Sequence, residues 1–283
     1  MQNYLDLVER VIYCGKRHVN RTDTATIRVV GETLRFDLRN GLPLLTTRKL
    51  YPNAIIAELI GFIRGYTNAM DFRELGCKWW DANANDNEQW LANPHRYGED
   101  DLGAIYGKQW RAWDDGSEDG IDQLANAVNK IRTNPNDRRI IVMAWNPADL
   151  DRCALPPCHV SFHFIPDPET KELSMTMTMR SVDVGCGLPQ NIASYAILLE
   201  LVAKATGYVA TELVMFLEDC HIYENHIDDL KQQIQRVPKV LPTVTFENQH
   251  NLHGIEFIDW ILPENIHIVN YYTHPPLHFR MAV

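Results

Sequence analysis

The chain has 283 residues, 45% of them hydrophobic, with a formal net charge of −10 and an isoelectric point near 5.5. This length is enough for one large domain with a full core. The acidic balance disfavours a general binder of nucleic acid or anionic lipid, because binding phosphates requires a basic surface. The sequence has no run of about 18 apolar residues and no signal-peptide pattern at its N-terminus. We therefore expect a cytoplasmic protein without a membrane or nucleic-acid partner.

The hydrophobic pattern of the first hundred residues predicts two helices and a strand. Apolar residues three and four apart predict a helix over 2–18, and alternation predicts a strand pair or one bent strand over 25–38. A strongly apolar helix follows at 53–64, with Asn53 as its N-cap. The polar segment 83–100, rich in Asn, Asp, Pro and Gly, is typical of a surface insertion or long loop.

The hydrophobic pattern after residue 100 predicts two helices and six strands. An amphipathic helix is expected at 120–133, and a long apolar helix at 189–206 that ends at Gly207. Further strands are predicted at 139–145, 159–164, 172–180, 213–217, 239–246 and 266–272. With no repeat or linker, residues 1–283 are expected to form a single α+β domain with a mainly antiparallel or mixed sheet.

The six cysteines stand at positions 14, 77, 153, 158, 186 and 220, without the spacing of a disulfide framework. Some lie close to histidines, but neither cluster combines a C-x₂-C pair with an H-x₃-H pair, as a zinc module does. We therefore expect reduced thiols and no metal. Cys158 differs from the others because it follows Pro156 and Pro157, which fix the backbone and hold a nucleophile still.

Three further clusters carry reactive side chains. Arg180 ends a predicted strand, and a neighbouring guanidinium lowers the pKa of a thiol. Arg138 and Arg139 could clamp a phosphate. Glu58 stands among isoleucines and leucines, where burial raises the pKa of a carboxyl group and suits it to proton transfer. Each cluster also has an ordinary structural interpretation: an inert core cysteine, a solvated arginine pair, or a helix-edge glutamate facing water.

The clusters become specific when they are taken in order along the chain. The ordered motifs are Arg21-Thr22, Glu58, Tyr106–Trp110, Asp137–Ile141, Pro157–His159, Arg180–Asp183, Gly187–Tyr195, Asp219–Tyr223 and the terminal Met-Ala-Val. This order resembles the thymidylate synthase family over nearly the whole chain. The resemblance implies a large mixed β-sheet flanked by helices and a homodimer that packs sheet to sheet.

The resemblance also implies a reaction, the folate-dependent transfer of one carbon to C5 of 2'-deoxyuridine monophosphate (dUMP). Cys158 would add to C6 of the pyrimidine. Glu58, Tyr106 and His159 would share a network of water and protons. Asn191 would read the base, because its amide can accept from N3–H and donate to O4 together, which matches uracil and mismatches cytosine.

Binding roles are implied for both substrates. On the nucleotide, Arg21, Arg180 and Ser181 would hold the phosphate, His221 and Tyr223 the 3'-hydroxyl, and Arg138 and Arg139 would reach the partner subunit's site. The co-substrate 5,10-methylenetetrahydrofolate would lie against Trp80, Leu155, Cys186, Gly187 and Gln190. Asp183, counted among the catalytic groups, would hold its pterin. Val283 would close over the site as part of a C-terminal lid, 274–283.

Three positions depart from the family pattern and bear on the product. The family usually has Gln, Leu and Phe where this chain has Met179, Cys186 and Gln190. The smaller and more polar wall favours attack of water on the C5 methylene, giving 5-hydroxymethyl-dUMP, over hydride transfer, giving dTMP. The sequence thus favours a hydroxymethylase such as phages encode, with thymidylate synthesis as the alternative.

Two interpretations lie outside this chemistry. A thiol hydrolase of the Cys-His type would need an Asn or Asp that orients a histidine near Cys158, and only the adjacency of His159 supports it. A non-catalytic nucleotide- or RNA-binding regulator is the other alternative. The acidic charge and the full set of reactive side chains argue against it.

Overall fold

The computed structural model describes residues 1–20, 24–248, 250–277 and 279. Its helices are α1 (Gln2–Cys14), α2 (Pro52–Ile63), α3 (Ala69–Glu74), α4 (Asp81–Asn85), α5 (Glu88–Leu91), α6 (Tyr106–Arg111), α7 (Gln123–Thr133), α8 (Gly187–Thr206), α9 (Ile227–Ile234) and α10 (Gly254–Trp260). Its strands are β1 (Lys16–His18), β2 (Thr26–Asp37), β3 (Ile141–Met143), β4 (His159–Asp167), β5 (Glu172–Asp183), β6 (Val209–Tyr223), β7 (Thr243–Phe246) and β8 (Ile266–Val269).

The main sheet has the strand order β1-β2-β6-β5-β4-β3, and β7 pairs with β8 in a separate ribbon. Neighbouring strands are antiparallel except β5 and β6, which run parallel. Parallel neighbours need a crossover, and here α8 provides it. The sheet is therefore mixed and flanked by helices, which confirms the predicted α+β class.

Helix α8 is the centre of the core. It contacts β5 and β6 on the sheet and α2, α7 and α10 on its other sides. It ends at Gly207, whose φ of 76° lies in the left-handed region that favours glycine. In β5 the alternate side chains Leu173, Met175 and Met177 are buried, as strict alternation predicts. The core thus lies between α8 and one face of the sheet.

The other face of the sheet carries partly exposed apolar side chains. Ile141, Ile165 and Phe216 are each more than two-fifths exposed there. A second sheet packed on this face would cover them. The sheet-to-sheet homodimer stays a prediction.

Two predicted helix ends are wrong for local reasons. The predicted helix 2–18 ends at Cys14, because the residues after Gly15 pair with β2. A Cβ at Gly15 would collide with the carbonyl oxygen of Val11, so a glycine is needed at this exit. Asn53 is not an N-cap: α2 begins one residue earlier, at Pro52, whose fixed φ suits the first helical position.

The segment 83–100 is more ordered than the predicted long loop. It contains the end of α4 and all of α5, and Trp90 of α5 is 2% exposed. The Trp90 indole donates a hydrogen bond to the carbonyl oxygen of Asp101 at 2.7 Å. In the part of the chain that the structure describes, no helix is long and apolar enough to cross a membrane.

Candidate active site

A cavity of about 500 Å³ opens between α2, the loop before β4, the end of β5 and the start of α8. We call it the main cavity. Most of the predicted catalytic and co-substrate residues line it. They are Glu58, Trp80, Tyr106, Leu155, Cys158, His159, Ser181, Asp183, Cys186, Gly187, Gln190 and Asn191. The fold thus brings together residues that are more than 130 positions apart in the sequence.

Cys158 lies on a tightly held loop. Its backbone N–H donates to the hydroxyl oxygen of Tyr106 at 2.8 Å. The guanidinium of Arg180 donates to the carbonyl oxygens of Pro157 and Pro156 at 2.8 and 2.9 Å. The same guanidinium lies 4.9 Å from the centre of the Trp145 ring. In this structure Arg180 fixes the loop that carries Cys158, and its contact with phosphate stays a prediction.

Glu58 faces the main cavity from α2. The indole N–H of Trp80 donates to its Oε1 at 3.0 Å. Burial raises the pKa of Glu58 to about 7, and the hydrogen bond from Trp80 opposes that rise. The predicted direction of this pKa shift is therefore confirmed. At neutral pH the carboxyl group can both give and take a proton.

His159 follows Cys158 in the chain, lines the main cavity and is 7% exposed. Its ring packs against Tyr106 at 4.8 Å and Tyr195 at 5.2 Å between centroids. Burial lowers the pKa of His159 to about 4, although a hydrogen bond with the Asn191 side chain raises it. The imidazole is therefore neutral at pH 7.

The wall of the main cavity near the start of α8 is built on a turn. Asp183 Oδ1 accepts the backbone N–H groups of Gly185 and Cys186 at 3.0 and 2.9 Å. Burial raises the pKa of Cys186 to about 11, so this thiol is neutral at pH 7. Gln190 follows one helical turn later and also lines the cavity, as does Met179 of β5.

A second, polar cavity of about 200 Å³ adjoins the sheet beside the main cavity. We call it the polar cavity. It is lined by His18, Asn20, Thr26, Arg28, Ser181, Asp219, His221 and Tyr223. Asp219 pairs with Arg28 at 2.8 Å and approaches His221 Nδ1 at 3.3 Å. Ser181, one of the predicted phosphate residues, lines both cavities, so the predicted sugar residues His221 and Tyr223 adjoin the main cavity.

Five predicted residues do not line either cavity, and one of them is Arg180, which binds the proline carbonyls. Arg138 and Arg139 are exposed on the loop before β3, where Arg139 pairs with Asp137 at 2.8 Å. Arg21 and Val283 lie outside the described residues. Among the residues that the structure describes, no group of three or more His, Cys, Asp and Glu side chains could hold a metal ion.

Sequence reasoning missed Arg48, which lines the main cavity and is 3% exposed. Its guanidinium donates to Gln233 Oε1 at 3.1 Å and to the carbonyl oxygen of Gly185, and it lies 4.1 Å from the centre of the Phe279 ring. The basic pair Arg48-Lys49, close before an apolar helix, was the available signal. Phe279 also contacts His226, so the C-terminal segment reaches the cavity.

Comparison with known proteins agrees with this geometry. The family model described as thymidylate synthase matches residues 2–283. A thymidylate synthase of Pseudomonas putida is 41% identical and a human thymidylate synthase is 40% identical, over 100% and 99% of this chain and 100% and 90% of those proteins. A bifunctional dihydrofolate reductase-thymidylate synthase of Leishmania major is 41% identical, over 100% of this chain and 55% of that protein. The chain belongs to the thymidylate synthase family, which confirms the resemblance found in its sequence.

Proposed function

We propose that the protein converts dUMP to dTMP, with 5,10-methylenetetrahydrofolate as the co-substrate. The single observation that carries this proposal is the position of Cys158. Its loop is fixed by Tyr106 and Arg180, and it opens into a cavity that also holds Glu58 and Asn191. Full-length relatives named thymidylate synthase support the same reaction.

The chain's own residues would act as follows. The Cys158 sulfur adds to C6 of the uracil ring, and C5 becomes the nucleophile. Asn191 reads N3–H and O4 of the base, and the neutral His159 ring lies in the same cavity. Glu58, with its pKa near neutrality, exchanges protons with the base and with water in the cavity. Loss of the C5 proton and release of Cys158 then regenerate the free thiol.

The main cavity fits a flat aromatic co-substrate. Trp80, Leu155 and Phe62 supply an apolar wall, and the Asp183 carboxylate supplies a hydrogen-bond acceptor at the cavity surface. When bound, the folate supplies both the one-carbon unit and the hydride that reduces it. The products of this reaction are dTMP and dihydrofolate.

Hydroxymethylation of dUMP is the second candidate. Cys186 and Gln190 both line the main cavity, so the more polar wall noted in the sequence faces the site. A polar side chain there could hold a water molecule near C5. The sequence favoured this outcome, but the relatives named thymidylate synthase reverse that preference.

Product identification tests the proposal. The protein is incubated with dUMP and methylenetetrahydrofolate, and the nucleotide product is identified by its mass. We expect dTMP, formed in step with dihydrofolate. A product heavier by one oxygen, with tetrahydrofolate retained, would instead establish hydroxymethylation.

Replacing the nucleophile tests the role of Cys158. Cys158→Ser should lose turnover by about 10³-fold or more, because an alcohol is a far weaker nucleophile than a thiolate. Cys14→Ser is the matched control, since Cys14 is exposed at the end of α1. Full turnover by Cys158→Ser would exclude Cys158 as the nucleophile, whereas absence of turnover in the wild type would favour the non-catalytic regulator.

A further inference from the structure

The backbone leading to Cys158 is bound by two asparagines of the segment 83–100. Asn87 Nδ2 donates to the carbonyl oxygen of Ala154 at 3.0 Å, and Asn93 Nδ2 donates to the carbonyl oxygen of Asp151 at 2.9 Å. We propose that Asn87 and Asn93 are positioning residues that set the location of the Cys158 thiol. This inference rests on the proposed role of Cys158 as the nucleophile.

The orientation of both amides is fixed by their own segment. Asn87 Oδ1 accepts the backbone N–H of Gln89 at 3.2 Å and caps α5. Asn93 Oδ1 accepts the backbone N–H of His95 at 2.8 Å. Because each oxygen is used in this way, each NH₂ group must point at the 151–154 backbone. Asn87 therefore joins the start of α5 to the loop that precedes Cys158, and Asn93 joins the turn at His95 to the same loop.

The opposite side of the same backbone is held by residues 102–104. Ala154 N–H donates to the carbonyl oxygen of Leu102, and Ala104 N–H donates to the carbonyl oxygen of Arg152, both at 2.9 Å. Gly103 sits between these bonds with a φ of 65°, and a Cβ there would collide with the carbonyl oxygen of Arg152. The loop is thus clamped between two pieces of chain before it enters the proline pair.

The prolines carry this constraint to the thiol. Pro156 and Pro157 have fixed φ angles, so the path from Ala154 to Cys158 has few free torsions. Arg180 holds both proline carbonyls, and Tyr106 holds the Cys158 amide. A shift of the 151–154 backbone would therefore move the sulfur, and a misplacement of about 1 Å can cost on the order of 100-fold in rate.

The asparagines are not the only attachments of their segment. Arg73 pairs with Asp100 at 2.7 Å and with Asp81 at 3.1 Å. Asn85 donates to Asp100 at 2.8 Å, and Trp90 is buried. The segment should therefore stay folded when one amide donor is lost. A loss of activity in a variant that stays folded would therefore reflect the position of Cys158 and not unfolding of the segment.

The test is Asn87→Asp and, separately, Asn93→Asp. Each aspartate keeps the acceptor that caps its own segment but replaces the NH₂ donor with a carboxylate oxygen, which repels the loop carbonyl. Asn248→Asp is the matched control, because Asn248 makes the same pair of bonds, to Leu252 O at 2.8 Å and from Leu252 N at 2.9 Å, on the loop before α10.

Two readouts are compared. The first is kcat and KM for dUMP. The second is the rate at which iodoacetamide alkylates Cys158 in the folded protein, identified by mass and by protection with dUMP. We expect kcat to fall by about 10-fold with KM within about 2-fold, and the alkylation rate to change by at least about 3-fold. The Asn248→Asp protein should match the wild type in both.

Wild-type kcat and wild-type alkylation in both aspartate variants would overturn the proposal. So would equal changes in the Asn248→Asp protein, since they would reflect a general effect on stability. The alkylation rate does not depend on turnover. If the wild type made no dTMP, the proposed function would fail, while the effect of the asparagines on Cys158 would still be measured.

Discussion

The two cavities differ in how far their ionisable groups are buried. In the main cavity, burial dominates: the pKa of Glu58 is raised to about 7 and that of His159 is lowered to about 4. In the polar cavity, Arg28 and Asp219 are each 36% exposed at their side chains and pair with each other. Desolvation thus disfavours the charged forms of Glu58 and His159 in the first cavity, whereas the second cavity holds a partly hydrated ion pair.

This difference matches two different tasks. Proton transfer needs a group whose pKa lies near the working pH, which burial provides. Anchoring a charged nucleotide needs side chains that stay ionised, which pairing and partial hydration provide. Ser181 lines both cavities, so one substrate can span them.

The largest effect is expected for Glu58→Gln. The amide keeps the shape and the hydrogen bond from Trp80 but cannot transfer a proton, so kcat should fall by about 10²- to 10⁴-fold. Glu200→Gln is the matched control. Burial also raises the pKa of Glu200 to about 7, but Glu200 lines neither cavity in the part of the chain that the structure describes. Equal losses of kcat in both variants would contradict the assigned role.

The same variant changes the pH dependence of stability. A carboxyl whose folded pKa is raised favours folding below its unfolded pKa, and that contribution is lost as pH rises through the folded value. Glu58 should therefore lower the free energy of unfolding by roughly 3 kcal/mol between pH 4.5 and pH 8, since one pKa unit is about 1.4 kcal/mol. His159 acts in the opposite sense, because its lowered pKa makes stability rise between about pH 4 and pH 6.5.

Urea unfolding of the wild type and of Glu58→Gln, measured in parallel across this pH range, separates the two groups. As the pH rises, the free energy of unfolding of the wild type should fall relative to that of Glu58→Gln. Only the wild type must ionise a buried carboxyl group. A difference that is constant with pH would mean that Glu58 is not desolvated in the folded protein.

A smaller effect is expected at the wall near the start of α8. The double change Cys186→Leu with Gln190→Phe replaces a small and a polar side chain with apolar ones. KM for methylenetetrahydrofolate should fall by about 3- to 10-fold, because more apolar surface is buried against the co-substrate. Any hydroxymethyl product should fall as well. Cys14→Leu at an exposed position is the control, and an unchanged KM in the double variant would show that this wall does not contact the folate.

The smallest effect is expected for Arg28→Met in the polar cavity. Loss of the partner of Asp219 should disturb His221 and raise KM for dUMP by about 2- to 3-fold at low salt, with kcat nearly unchanged. The effect should shrink as salt screens the wild-type pair. Arg10→Met is the control, since Arg10 pairs with Glu32 at 3.2 Å outside both cavities.

A dUMP analogue without the 3'-hydroxyl sharpens this result. If His221 binds that hydroxyl, the analogue should bind more weakly to the wild type, and Arg28→Met should weaken its binding by less than it weakens binding of dUMP. The same loss for both nucleotides would place the effect of Arg28 elsewhere than at the sugar.

Long periodic elements could be predicted from the sequence, and short or interrupted ones could not. Helix α8 was predicted at 189–206 and forms at Gly187–Thr206, because its apolar run is long and ends in glycine. Strand β6 was predicted only at 213–217, although it spans Val209–Tyr223. The end of the strand that was missed contains Asp219, His221 and Tyr223, which line the polar cavity. The short helices α6, α9 and α10 carried too few turns for a periodic signal.

The order of motifs along the chain was enough to recognise the family and to select Cys158, Glu58 and Asn191 as candidate reactive residues, because side-chain chemistry and spacing can be read directly from the sequence. Only the tertiary structure decided how these residues are held. That Arg180 fixes the two prolines, that Arg48 is buried beside the cavity, and that Asn87 and Asn93 clamp the nucleophile's loop are contacts between distant segments. Such contacts depend on which surfaces the packed core brings together, and no local pattern encodes that.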